Sequence, residues 1–213
     1  MNSREVVLIT GKTGSGKSVF FRDLILQKRR FILFDTVKEY RNPANPFPAL
    51  FINDFPSLIE YLRQNKSGSF RIVFDCCNPF QRLMLKNGQE ITACELLCKI
   101  VYDCLADVTL GIEELGKHET RKELAPNLYN IICLGRHKAI SLYATTQRSA
   151  QISTDVKAQV NRLVAFRQHL PNDIAWIGDC IGNPQEAETL RTLGDFTWPG
   201  PMEAGKHYKE YVL

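Results

Sequence analysis

The residues Gly11-Lys12-Thr13-Gly14-Ser15-Gly16-Lys17-Ser18 match G-x-x-x-x-G-K-[ST], and the chemistry this pattern suits is the holding of a phosphate chain. Side chains are missing at Gly11, Gly14 and Gly16, where backbone N–H groups must converge on an anion. The helix expected after Gly16 turns its N-terminal partial charge on the same anion. Thr13 and Ser15 complete the curl, Lys17 supplies a cation for the β- and γ-phosphates, and the Ser18 hydroxyl supplies a ligand for magnesium. A nucleotide with Mg²⁺ is the expected ligand.

A loop of this kind that hydrolyses its nucleotide needs one carboxylate for the metal shell and usually a second for the attacking water. Both belong at the C-terminal end of a parallel strand, beside the loop. "VTLGIEEL" (108–115) is an apolar run that ends in two acids, and no other apolar run in the chain does. Glu113 is therefore expected in the Mg²⁺ shell and Glu114 at the catalytic water, although adjacent glutamates can also simply open a solvated loop. Asp35 and Asp75, which also end apolar runs, compete for the metal.

A third stretch, "LGRHKAISLYATTQRSAQIS" (134–153), places Gln147 and Arg148 after a strand and Arg136 before it. An amide at a strand's C-terminal end can hydrogen-bond the γ-phosphate or the attacking water and report which is present. Arg136, at the other end, is poorly placed for its own nucleotide but could face that of a neighbouring subunit.

These groups need a scaffold, and the apolar patterning supplies one. Buried strands are expected at 5–10, 31–35, 69–75, 108–115, 139–146 and 162–168. Helices are expected at 18–28, 55–64, 90–107, 122–134, 173–181 and 184–193, and a Pro- and Asn-rich stretch, 41–50, as irregular chain. A short β-like tail spans about 195–213, with strand character near 196–198 and 209–213. Alternating strands and helices imply crossover connections. The expected class is thus α/β: a mainly parallel central sheet with helices on both faces, in one domain, 1–213.

The 213 residues suffice for a proper core, and the net charge of +4 permits a polyanionic partner without arguing for one. No run approaches the length of a membrane span, and no N-terminal signal region is evident. Seven cysteines, with no C-x-x-C, fit neither a disulfide framework nor a zinc site and suit a reducing compartment. Cys94, Cys98 and Cys104 read as small buried hydrophobes on one amphipathic helix.

"GKTGSGKS", "FDTVKEY" (34–40, similar to a D-x-x-x-E-Y motif) and "GRHKAISLYATTQRS" (135–149) together resemble the HerA–FtsK ATPases, the RecA-like ring motors that pump DNA. "VNRLVAFRQHLPNDIAWI" (160–177) is similar to that family's next strand and helix, so the likeness runs over nearly the whole chain. A single domain of this size looks most like the genome-packaging ATPases of tailless icosahedral viruses with an internal membrane.

The resemblance implies a RecA-like P-loop NTPase fold and an ATP-driven double-stranded DNA translocase that packages a viral genome into a preformed capsid. It further implies a homohexameric ring with ATP at subunit interfaces, and Arg136 or, alternatively, Arg148 as the trans-acting arginine. Arg71, Arg82 and Arg167 are further candidates. Capsid vertex or viral membrane proteins are the implied partners. The implied locations are the host cytoplasm during assembly and the packaging vertex of the virion.

DNA contact should be to phosphates and non-specific. Its candidates are Lys28-Arg29-Arg30, Arg82 to Lys86, and Lys117 to Lys122. The chain departs from the family in Glu113, where aspartate is usual, and in Ser149, where proline often stands. The rival readings are a small-molecule or nucleoside P-loop kinase, although no arginine-rich lid is evident, and a non-motor nucleotide-binding phage assembly protein.

Overall fold

A computed structural model of the chain describes residues 4–42, 46–85, 87–118, 124–197 and 199–213. The elements run β1 (Val6–Thr10), α1 (Lys17–Leu26), β2 (Arg30–Phe34), β3 (Leu50–Ile52), α2 (Phe55–Asn65), β4 (Phe70–Phe74), β5 (Arg82–Met84), β6 (Glu90–Thr92) and α3 (Ala93–Cys104). They continue β7 (Val108–Ile112), α4 (Pro126–Tyr129), β8 (Ile140–Thr146), α5 (Thr154–Gln159), β9 (Arg162–Phe166), α6 (Pro171–Ile181), α7 (Pro184–Glu188) and β10 (Tyr208–Val212).

Among the described residues, eight strands form one sheet in the order β10-β9-β1-β8-β7-β2-β4-β3. Pairs β1–β9, β2–β4, β2–β7 and β3–β4 are parallel, and β10 is antiparallel to β9. This is the mainly parallel α/β sheet expected from the alternation. β1 and β7 are buried along their whole length, which is why both read as unbroken apolar runs rather than alternating ones.

The chain divides into two compact units. One comprises Gln27–Glu113 and Leu124–Leu142, joined by Arg4. Its α3 buries Cys94, Leu97, Cys98 and Val101, a stripe at helical spacing. Thr92 caps the helix: its hydroxyl accepts from Glu95 N, and the Glu95 side chain accepts from Thr92 N. That capping box starts the helix at Ala93 instead of Glu90, and residues 90–92 pair with β5 in a separate two-stranded ribbon. Cys104, the last residue of the helix, is exposed, so only Cys94 and Cys98 of the three are buried.

The helix expected over 122–134 is broken up. α4 starts at Pro126, and the chain then widens into a π turn at Asn130–Leu134 and tightens into a 3₁₀ turn at Gly135–Lys138. The Arg4 guanidinium donates to the carbonyl oxygens of Ile131 (2.9 Å), Ile132 and Ile140 (2.9 Å), tying these turns to the start of β8.

The second unit comprises Glu5–Leu26, Glu114–Glu123 and Tyr143–Leu213. β1 pairs with β9 in a register that sets Thr10 opposite Ala165, and β10 covers the other side of β9. Phe20, Phe166 and Tyr208 close as an aromatic cluster with centroids 4.8–5.9 Å apart, fastening β10 to α1 and β9. The helix expected over 184–193 stops at Glu188 and finishes as a 3₁₀ turn.

Four elements were not expected from the sequence: β3, which begins where the proline-rich stretch ends, β5 and β6 of the ribbon, and α5. Phe196 and Thr197 lie outside any strand. Residues 43–45, Lys86, 119–123 and Trp198, on which parts of the loop, basic-run, helix and tail expectations fall, lie outside the described residues. No helix of the described residues is long and apolar enough to cross a membrane.

Candidate active site

The glycine loop joins β1 to α1, and its backbone is fixed from both sides. Gly11 N donates to Thr146 O at 3.3 Å, and Lys12 N donates to Arg167 O at 3.0 Å. A Cβ on Gly11 would fall 2.5 Å from the Cβ of Phe166, so the glycine there also permits the close approach of β9. Within the loop the Lys12 carbonyl is the hub. It accepts from Ser15 Oγ and from the Lys17 ammonium, both at 2.8 Å, and from Ser15 N at 3.4 Å. Ser15 and Lys17 are accordingly buried, while Thr13 and Gly14 are exposed and Ser18 is half-buried.

From Thr13 a polar chain leads away from the loop. The Thr13 hydroxyl donates to Gln147 Oε1 at 2.8 Å, and Gln147 Nε2 donates to Glu114 Oε1 at 2.9 Å. The end of β8 thus joins the phosphate loop to a carboxylate through one amide. Glu114 adopts left-handed φ of 52°, a conformation that costs a non-glycine residue of order 1 kcal/mol and recurs at functional positions. Its backbone N–H is held by Thr145 Oγ1 at 3.0 Å.

Glu113 is placed by the loop that follows β2. It is 1% exposed; its Oε1 accepts from the Tyr40 hydroxyl at 3.0 Å and its carbonyl accepts from Thr36 Oγ1 at 3.0 Å. Tyr40 is in turn placed by Asp35, whose carboxylate accepts from the N–H groups of Glu39 (3.2 Å) and Tyr40 (3.3 Å). The D-x-x-x-E-Y spacing therefore has a local function: the aspartate folds the turn that delivers the tyrosine to Glu113. Burial raises the pKa of Asp35 against the opposing pull of those N–H groups. Burial, with the nearby Glu113, raises that of Tyr40 well above its usual value, so Tyr40 stays a proton donor. The rival acids are engaged elsewhere: Asp35 caps its own loop, and the buried Asp75 accepts a bidentate pair of bonds from Nε and Nη2 of Arg41.

The candidate arginines differ. Arg148 sits after β8, half exposed, and its Nε donates to the buried Asp173 at 3.2 Å. Asp173 Oδ1 also accepts from Ala150 N at 2.8 Å and from the Ser149 hydroxyl at 3.4 Å. That gives the serine found in place of proline a bond that proline could not make. Arg136 lies exposed on the 3₁₀ turn before β8. Arg167 donates to Asp195 at 3.4 Å, Arg82 to Glu90 at 2.8 Å, and Arg71 lies on the exposed side of β4.

Of the basic stretches, Lys28, Arg29 and Arg30 line an open groove of about 610 Å³ with Ser67, Ser69 and Thr109. Arg82 is on the β5–β6 ribbon, and Lys117 is in the 3₁₀ turn that follows Glu114.

The sequence reads a β-like tail over about 195–213 but not its contact with the loop. Gly194 N donates to Lys206 O at 2.9 Å, so that the described residues of 194–197 and 199–206 form a strap. Asp195 accepts from the Lys12 ammonium at 2.6 Å, and that cation holds its carboxyl below the usual aspartate range. Lys12 and Asp195 are 183 positions apart, and nothing in either one's local pattern signals the other.

No family model matches the chain, and no curated protein matches it in sequence. Solved structures do. The genome packaging NTPase B204 from Sulfolobus turreted icosahedral virus 2, in complex with AMP, has TM-score 0.66 and 20% identity over 100% of this chain and 94% of that one. B204 of Sulfolobus turreted icosahedral virus, a DNA-packaging ATPase, has TM-score 0.60 and 23% identity over 92% and 91%. VirB4 of Thermoanaerobacter pseudethanolicus has TM-score 0.53 and 12% identity over 87% and 83%. At these identities the likeness is one of fold: the chain has the P-loop NTPase fold of these proteins.

Proposed function

We propose that the protein is an ATPase that hydrolyses ATP to move double-stranded DNA, acting as a ring that packages a viral genome into a capsid. The observation that carries the reading is the connection from the phosphate loop through Thr13 and Gln147 to Glu114. It supplies a place for the γ-phosphate, an amide that changes partners when the phosphate leaves, and a carboxylate for the attacking water. The fold shared with B204, described as a DNA-packaging ATPase, supports the choice of DNA as the load.

In this reading the Lys17 ammonium moves from the Lys12 carbonyl to the β- and γ-phosphate oxygens, while the loop N–H groups hold the same anions. Glu114 accepts the water proton and orients the oxygen for in-line attack. The Ser18 hydroxyl and the Glu113 carboxylate are hard oxygen donors that suit Mg²⁺, and Tyr40 fixes the orientation of Glu113. When bound, the ion neutralises charge along the β- and γ-phosphates. Arg136 is preferred as the arginine acting on a neighbouring subunit's nucleotide, because Arg148 is committed to Asp173.

DNA phosphates would meet Lys28, Arg29 and Arg30, with affinity falling steeply as salt rises. The sites of action would be the host cytoplasm during assembly and the packaging vertex, against capsid or viral membrane proteins.

The test is ATP turnover against protein concentration, with and without long double-stranded DNA. Turnover that climbs steeply with both supports the ring motor. Turnover indifferent to both would overturn it in favour of the P-loop kinase class.

A further inference from the structure

The phosphate loop has chemically different neighbours along its length. At Thr13 it bonds Gln147, which in turn bonds Glu114. At Gly16, where the loop becomes α1, it meets the strap. A Cβ on Gly16 would fall 2.7 Å from Phe196 Cβ and 3.0 Å from Met202 Cε. Gly16 also holds φ at +102°, so this position excludes a side chain twice over, once for the backbone and once for the strap. Phe196 and Met202 are both half-exposed, unlike the core aromatics.

The strap is held there by contacts of its own. Asp195 reaches Lys12 at 2.6 Å and Arg167 at 3.4 Å, on the residue next to Phe196. The buried His207 packs edge-on to Phe196, with centroids 5.7 Å apart and planes at 89°, and its Nδ1 accepts from Glu203 N at 3.1 Å. Phe196 and Met202 are thus fixed beside the loop where it becomes α1.

From this we infer that Phe196 and Met202 form the platform that receives the base of the bound nucleotide. The inference rests on the nucleotide-binding reading of the loop. A triphosphate with its γ-phosphate beside Thr13, Gln147 and Glu114 must lead its nucleoside out toward the start of α1. The side chains waiting there are a flat π surface and a polarizable sulfur, which suit a heterocycle rather than a phosphate.

The experiment compares binding of ATP and of inorganic tripolyphosphate, both with Mg²⁺, by calorimetry on the full chain. Base–aromatic stacking implies that Phe196→Ala weakens ATP about 5- to 150-fold. Tripolyphosphate, which has no base, should bind the variant as it binds wild type. Phe196→Tyr keeps the ring and should restore ATP affinity. Phe196→Leu keeps apolar bulk without the π face; it should retain the fold and show the ATP loss, and it serves if the alanine variant does not fold.

Equal weakening of both ligands would overturn the platform, making Phe196 a prop for the loop. Unchanged ATP affinity in the alanine or leucine variant would overturn it as well. A wild-type chain that binds neither ligand would instead sink the nucleotide reading, and the platform with it, so the two failures are distinguishable.

Discussion

Glu113 follows β7 with its carboxylate buried and accepting from Tyr40, in a setting built by the loop after β2. Glu114, the next residue, is half-exposed, sits in left-handed backbone and is gripped by Thr145 and Gln147 from the end of β8. Two carboxylates of one type, adjacent in the chain, thus stand in different environments. The buried one suits the metal-ligand role proposed for it, and the other, half-exposed and linked to the phosphate loop, suits the proposed handling of the nucleophile. Environment divides such pairs, because identical side chains acquire distinct roles only from their surroundings.

The largest effect should come from removing the charge that faces water. Glu114→Gln keeps the shape and should cut ATP turnover by about 100-fold or more, the usual worth of a positioned base, while ATP affinity stays near wild type. Steady-state hydrolysis beside equilibrium binding reads both. A variant that hydrolyses normally would remove Glu114 from the chemistry and leave its strained backbone without a purpose.

On the buried side the damage should appear in stability instead. Tyr40→Phe deletes the donor to the Glu113 carboxylate, and a hydrogen bond to a charged group is worth about 1.5–3 kcal/mol. The urea midpoint should fall accordingly, with the m-value unchanged. No loss would mean that Glu113 is held by other contacts and that the motif around Asp35 serves some other end.

Acid should act on the Glu114 side. His118, in the turn that follows, has its pKa lowered to about 4, chiefly by burial and secondarily by Lys117. The unfolded chain takes up that proton near the ordinary histidine value, about 6.5, and the folded chain only near 4. The contribution to stability is therefore complete above the first value and is lost as pH falls toward the second. His118→Gln should flatten this part of the stability–pH curve from urea melts. An unaltered slope would place the acid sensitivity elsewhere.

The scaffold was legible because its signals are local. A buried parallel strand is an unbroken apolar run, and the Gly11–Ser18 loop carries its own geometry in its glycines. The acids at 113 and 114 were legible as a pair, but not as different environments, since Tyr40 and Gln147 reach them from 73 and 33 positions away. The D-x-x-x-E-Y motif was recognisable by resemblance, while its reason, a turn delivering a hydroxyl, exists only in the folded chain. The π turn at 130–134 was hidden for a related cause: a plain apolar helical pattern there lies against a guanidinium from Arg4. The strap over Gly16 was hidden most completely, because a stretch ending in "GPMEAGKHY" has no periodicity to read.

The smallest effect separates strain from chemistry at Glu114. An L-residue pays for left-handed φ and glycine does not, so Glu114→Gly should be more stable than Glu114→Ala by about 1 kcal/mol. Both variants lose the carboxylate, so both release Gln147 and both should be inactive. Their difference in urea midpoint therefore reports backbone alone, free of the contacts that the side chain makes. A glycine variant that is the more stable of the two and yet inactive would establish that the chain tolerates a strained residue here for the sake of its carboxylate. Equal stabilities would mean that the bond from Glu114 N to Thr145 Oγ1 compensates the strain in full, and that the turn is shaped by β8 rather than by the needs of the site.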